Sequence, residues 1–188
     1  REAIRHEIEG AYLAQFWANH QGADPGQFNS SAPLVRLLLA DTGHFGDAWP
    51  ETVRQLADRI GGSEHLVAVA GLGSSVATTQ AAATALAEKG LPMFGAVITS
   101  STLKARNLAR VGPVNADYSA AAIKYLETTA EWRAATAAAP FKAFLIRDTT
   151  PGDSYAADLG EAYVNDFPND PAHIMLPNQA DFNGAIGA

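Results

Sequence analysis

The residues best placed to do chemistry are Gly71-Leu72-Gly73-Ser74-Ser75, which follow the apolar run Leu66-Val67-Ala68-Val69-Ala70 and precede a helix-like stretch from Val76 to Lys89. A buried strand that turns through glycines and serines into a helix presents first-turn N–H groups that have no intrahelical acceptor, and the helix dipole adds partial positive charge. With the hydroxyls of Ser74 and Ser75 alongside, such a corner suits a carboxylate or phosphate in the crevice beyond the strand's carboxyl end. The same two serines also fit a helix N-cap.

Two enzymatic readings share this corner. Gly73-Ser74-Ser75-Val76-Ala77 nearly fits the nucleophile elbow of a serine hydrolase, with Ser75 as nucleophile and Asp148 and His173 following in the right chain order, but Ala77 stands at the elbow's last glycine. Gly71-x-Gly73 also begins a dinucleotide fingerprint, yet Val76 holds the third glycine's place and the turn belongs to the third βα unit rather than the first. No other constellation competes. The histidines lack metal-ligand spacing, and His6 with Glu9 on one helix face reads as a solvated pair. The acidic residues are scattered rather than paired for glycoside-type chemistry. Cysteine is absent, which excludes disulfides and thiol catalysis. The expectation is a binding module with no catalytic residues, no metal and no cofactor.

These residues need a scaffold, and the hydrophobic pattern outlines one. Ile4, Ile8, Tyr12 and Phe16 recur every fourth position and predict a helix, stopped by Gly22 and Pro25. Leu34 to Leu39 reads as a strand ending in Asp41-Thr42-Gly43. Trp49, Val53, Leu56 and Ile60 predict a second helix, with Asp47 as cap, Pro50 in the first turn and Gly61-Gly62 at the end. After the strand at 66–70 comes an alanine-rich helix closed by Gly90 and Pro92. Met93 to Ile98 gives a strand, Thr99-Ser100-Ser101-Thr102 a polar turn, and Leu108 to Pro113 a short extended piece. A helix from about Asp117 to Ala138, a strand from Phe141 to Ile146, a helix marked by Tyr155, Leu159, Tyr163 and Phe167, and a short strand at His173 to Leu176 complete the order. Strands alternating with helices at this spacing predict an α/β doubly wound parallel sheet.

Composition bounds the partners. With 188 residues, 47% hydrophobic and 18% charged, the chain is an ordinary globular sequence. A net charge of −7 and the lack of any basic cluster exclude a nucleic-acid backbone as partner. No apolar stretch approaches the ~20 residues of a membrane-spanning helix.

The order of these segments resembles the type I periplasmic-binding fold, and within it the branched-chain amino-acid (leucine/isoleucine/valine) receptors of ABC transporters. The residues that carry the resemblance are Gly71 to Ser75, Gly90-Leu91-Pro92-Met93, Ile98-Thr99-Ser100, Leu108 to Pro113, and Asp148 to Tyr155, within roughly residues 34–167. It implies a two-lobed, extracytoplasmic (periplasmic or cell-surface), non-catalytic receptor that closes on a small molecule. Ser74 and Ser75 would grip the ligand's carboxylate. Ile98 would offer a carbonyl to its ammonium, Thr99 a hydroxyl, and Tyr155 would close from the second lobe. By composition alone, Thr99 to Thr102 also fits a plain hydrophilic loop, and Tyr155 a core position beside Leu159. Departures from the family pattern are Ile98 in place of Ala or Ser, which implies a smaller pocket or a different ligand, and Ala156 in place of the glycine after the tyrosine. The acidic residue that anchors the ammonium has no counterpart. Lobe one would occupy residues 1–113 without its first strand, a hinge would lie near Gly112 to Asn115, and residues 114–188 would begin lobe two, so the expectation is a partial chain. The implied partners are a small-molecule ligand and a membrane transporter, or the output domain of a sensory receptor, and an unpaired sheet edge would favour a homodimer.

Overall fold

The computed structural model describes residues 2–20, 33–43, 46–138, 144–167 and 172–176. The helices are α1 (Glu2–Asn19), α2 (Trp49–Ile60), α3 (Ala77–Glu88), α4 (Asn115–Thr128), α5 (Ala130–Ala138) and α6 (Ser154–Asp166). The strands are β1 (Val69–Ala70), β2 (Met93–Gly95), β3 (Leu108–Arg110), β4 (Phe144–Asp148) and β5 (Ala172–Leu176). Every strand pair is parallel. Among the described residues they form two sheets, one in the order β1-β2-β3 with Val69 opposite Met93 and Met93 opposite Leu108, the other pairing β4 with β5 from Phe144–Ala172 to Asp148–Leu176.

The first sheet is packed by α2 and α3. Val53 of α2 meets Ala82, Ala83, Leu86 and Ala87 of α3 over Leu91 and Met93, with Trp49, Leu56 and Ile60 at the edge. Alanines on the buried stripe of α3 let the helices approach closely, and Leu86 fills the space between them. The end of α3 is set by a paired cap. The Gly90 N–H bonds to the Ala87 carbonyl at 3.0 Å and the Leu91 N–H to the Leu86 carbonyl at 3.3 Å, with Gly90 at φ +79°. This is the Schellman arrangement, and it carries Leu91 back onto Leu86 in the core. The second sheet is packed by α6, against which α4 lies.

Several local expectations are revised. Residues 34–39 are extended, but among the described residues they enter no ladder. The Asn19 side chain binds both backbone groups of Val35 (2.7 and 2.8 Å), and the Thr52 hydroxyl takes the Asp41 carbonyl at 2.6 Å. Side chains therefore tie Val35 to α1, and Asp41 just beyond this segment to α2. The cap of α2 is Ala48, not Asp47, and no side chain bonds there; α3 likewise begins at Val76, so neither Ser74 nor Ser75 caps it. The single helix expected over 117–138 is broken at Thr129 (ψ 148°), whose hydroxyl bonds the Leu126 carbonyl and receives the Trp132 N–H, ending α4 and starting α5. The apolar stripe of α1 faces solvent in part, with Tyr12 62% exposed. Gly22, Pro25, Phe141 and the side chain of His173 lie outside the described residues.

Because Leu86 is 2% exposed and central to the first core, Leu86→Ala is expected to lower stability by about 2–5 kcal/mol, read from the denaturant midpoint at constant m-value.

Candidate functional site

The glycines of the Gly71–Ser75 turn adopt left-handed backbone, Gly71 at φ +105° and Gly73 at +77°, and Leu72 between them is at +74°. This path delivers Ser75 to the centre of a polar cluster. Ser75 is fully buried, and its Oγ accepts the N–H groups of Thr99 and Ser100, both at 3.1 Å. Its carbonyl accepts the Tyr155 N–H at 2.9 Å and the Ser154 hydroxyl at 2.6 Å. One residue thus ties the turn after β2 to the start of α6.

The turn after β2 is held from three further sides. The Arg110 guanidinium donates to the Ser100 carbonyl at 2.9 Å and to that of Leu103. Gln80 and Lys104 exchange two bonds, at 2.8 and 3.0 Å. The Thr99 carbonyl accepts the Asn115 N–H at the first residue of α4, at 2.8 Å. Asn115 is itself buried, and its Nδ2 donates to the Tyr155 carbonyl (3.2 Å) and to Asp158 (2.9 Å). Asp158 also accepts the Ser101 N–H at 3.0 Å and the Ser101 hydroxyl. Opposite, the Gly152 carbonyl accepts the Ala77 N–H, the first of α3, at 2.9 Å.

The N-termini of α3, α4 and α6 therefore share one hydrogen-bonded network, and their dipoles place partial positive charge there from three directions. Beside it opens a groove of about 680 Å³ lined by Ala77, Gln80, Thr102, Arg147, Asp153 and Ser154. Asp153 caps α6 through the Ala156 N–H at 3.0 Å. Asp148 turns onto Thr150, accepting its hydroxyl (2.6 Å) and N–H (2.8 Å), and these bonds hold the carboxyl below the usual aspartate range. Among the described residues no cluster of three or more metal-ligating side chains occurs, and no helix is long and apolar enough to cross a membrane.

Solved structures share this architecture. A leucine-binding protein of Thermotoga maritima matches with TM-score 0.60 at 16% identity, over 98% of this chain and 49% of its own. An ABC transporter substrate-binding protein of Desulfitobacterium hafniense, in complex with Leu, matches with TM-score 0.62 at 20% identity, over 96% and 49%. A solute-binding protein of an ABC transporter from Rhodopseudomonas palustris BisB5, in complex with 3,4-dihydroxybenzoic acid, matches with TM-score 0.52 at 16% identity, over 92% and 42%. The chain has a type I periplasmic-binding fold. It spans about half the length of the structures that it matches. No protein-family model and no curated protein matches the sequence.

Within that fold, the residues singled out from the sequence fall as follows. Ser75, Thr99 and Tyr155 share the network, Ser75 by its hydroxyl and carbonyl and Tyr155 by its backbone, while the Tyr155 side chain is 43% exposed. Two of the groups expected to be open are already bonded within the chain: the Ala77 N–H by the Gly152 carbonyl just before α6, and the Ser75 hydroxyl by the N–H groups of Thr99 and Ser100. Ser74 is exposed. Thr99 Oγ1 is buried and without a hydrogen-bond partner. Ile98 is 1% exposed, and its side chain lies over Gly95, where an added Cβ would come within 2.7 Å of Ile98 Cδ1. It packs into the core behind the turn, so the smaller pocket expected from its size does not follow. The hydrolase elbow fails on burial: the Ser75 hydroxyl has no face open to a substrate.

Asn115, Asp158 and Ser154 were not legible as site residues. In the sequence Asn115 stands only at the end of the expected hinge and Asp158 is not singled out; the packing of α6 on α4 brings them to Ser101.

Glu7 of α1 lies beside Gly71, and burial raises its pKa although the Ala96 N–H works in the opposite direction. A carboxyl whose folded pKa is raised favours folding at acid pH, and that contribution fades as pH rises through the folded value. Glu7→Gln should therefore raise stability at pH 7 and leave it nearly unchanged below about pH 4, where the carboxyl is protonated in both states. Urea titrations at the two pH values check this.

Proposed function

We propose that this chain is a solute-binding module that holds a small amino-acid-like molecule or carboxylate between two lobes, outside the cytoplasm, for an ABC transporter. The observation that carries the reading is the meeting of three helix N-termini at the Ser75–Thr99–Tyr155 network, beside an open groove. Positive helix ends beside the unpartnered Thr99 hydroxyl favour a carboxylate over a neutral solute. The fold neighbours support it, since one is named as leucine-binding and two were solved with leucine and with 3,4-dihydroxybenzoic acid, both of which carry a carboxylate.

On this reading lobe one runs through about Pro113, the crossing lies at Gly112 to Asn115, and α4 and α6 belong to lobe two. The packing of α4 on α6 supports that division. Thr99 Oγ1, buried and without a protein partner, donates to a solute that enters the corner, and the exposed Ser74 hydroxyl is its outer contact. Ile98 contributes its carbonyl only, its side chain being committed to the core. Ser75 positions the Thr99 turn, and the Tyr155 ring closes on the solute from the second lobe. Closure is a shift between open and closed populations, limited by the solute's preference for the closed form.

Calorimetric titration with leucine, isoleucine, valine and 3,4-dihydroxybenzoate tests the reading, and no binding by any of them would overturn it. Thr99→Val should weaken leucine by about tenfold, the equivalent of one lost hydrogen bond of about 1.4 kcal/mol. It should not lower the unfolding temperature, because the buried Oγ1 has no protein partner to lose.

A further inference from the structure

We infer that the segment Gly152–Asp158 is a built-in occupant of the Ser75 corner, which a bound solute has to displace. The segment presents acceptors and donors of the kinds that a small zwitterion would bring. The Gly152 carbonyl takes the first N–H of α3 at 2.9 Å, the place of a carboxylate oxygen at that helix end. The Ser154 hydroxyl and the Tyr155 N–H donate to the Ser75 carbonyl at 2.6 and 2.9 Å, as an ammonium would. One turn further on, Asp158 supplies a full negative charge to the Ser101 N–H (3.0 Å), the Ser101 hydroxyl and Asn115 Nδ2 (2.9 Å).

These contacts are not imposed by chain proximity, since Ser154 and Ser75 are 79 residues apart and Asp158 and Ser101 are 57. They also require a special backbone. Gly152 stands at φ +85°, which L side chains rarely adopt, while an added Cβ would meet only Ala77 Cβ at an ordinary 3.5 Å. A substitution there disturbs the path of the chain rather than its packing. The competition rests on the solute-binding reading above; the contact itself does not. If the corner is self-occupied for most of the time, the apparent solute Kd is the intrinsic value divided by the fraction of molecules in which it is open.

Amide hydrogen exchange on the whole chain, read residue by residue by NMR, tests the contact without any ligand. First-turn amides of helices have no intrahelical acceptor and exchange freely unless something else binds them. The N–H groups of Ala77 and Tyr155, with that of Ser101, are expected to be protected by about tenfold or more, as a locally closed contact requires. Gly152→Ala should restore free exchange at Ala77 and Tyr155, Asp158→Ala should restore it at Ser101, and each should tighten leucine binding by the same factor that protection falls. Free exchange at these amides in the unsubstituted chain, or leucine affinity unmoved by both substitutions, overturns the proposal. Free exchange with leucine bound sinks the occupant alone. Protected amides with no binding of leucine or 3,4-dihydroxybenzoate in any variant sink the competition together with the solute-binding reading, and leave the contact as a fixed joint.

Discussion

Three helices cannot aim their N-termini at one point without something negative between them. That constraint organises the middle of this chain. The ends of α3, α4 and α6 meet around Ser75, and each brings N–H groups without an intrahelical acceptor and partial positive charge there. The structure meets the demand with oxygen: the carbonyls of Ser75, Thr99 and Gly152, and the carboxylate of Asp158. Ser75 lies at the hub because its hydroxyl faces the turn after β2 while its carbonyl faces α6. Placing such a residue in full burial requires the left-handed turn at Gly71 and Gly73, so the glycines and the serine serve one purpose.

Much of the fold was legible in the sequence because it depends on local period and punctuation. The apolar spacing of Trp49, Val53, Leu56 and Ile60 placed α2 within its observed bounds, and Gly90 with Pro92 marked the end of α3. The misreadings have a common origin. Leu34 to Leu39 is mostly apolar, but pairing in a sheet depends on which backbone groups reach it; among the described residues the Asn19 side chain takes both backbone groups of Val35, and Thr52 binds Asp41 just beyond. The break at Thr129 turns on one hydroxyl serving two helices, which a count of helix formers does not register.

The candidate site divides along the same line. Its Ser75 and Thr99 lie in turns that follow strands of one sheet, where a motif read along the chain finds them. Asn115, Ser154 and Asp158 join through contacts spanning 40 to 79 residues, and nothing in their immediate neighbours sets them apart. Burial also changed the meaning of residues that were found. A serine in a glycine turn reads as a hydroxyl offered to solvent, yet Ser75 is enclosed, with both of its oxygens directed to neighbouring backbone and side-chain donors.

Ile98 and Gly95 exemplify a different dependence. The isoleucine fills the room that the missing side chain at position 95 leaves, so the two positions divide a fixed volume between them. A larger residue at 95 is tolerated only with a smaller one at 98, and the exchange takes place behind the turn, out of reach of anything bound in front. The width of the groove and the bulk of residue 98 can therefore drift independently during evolution.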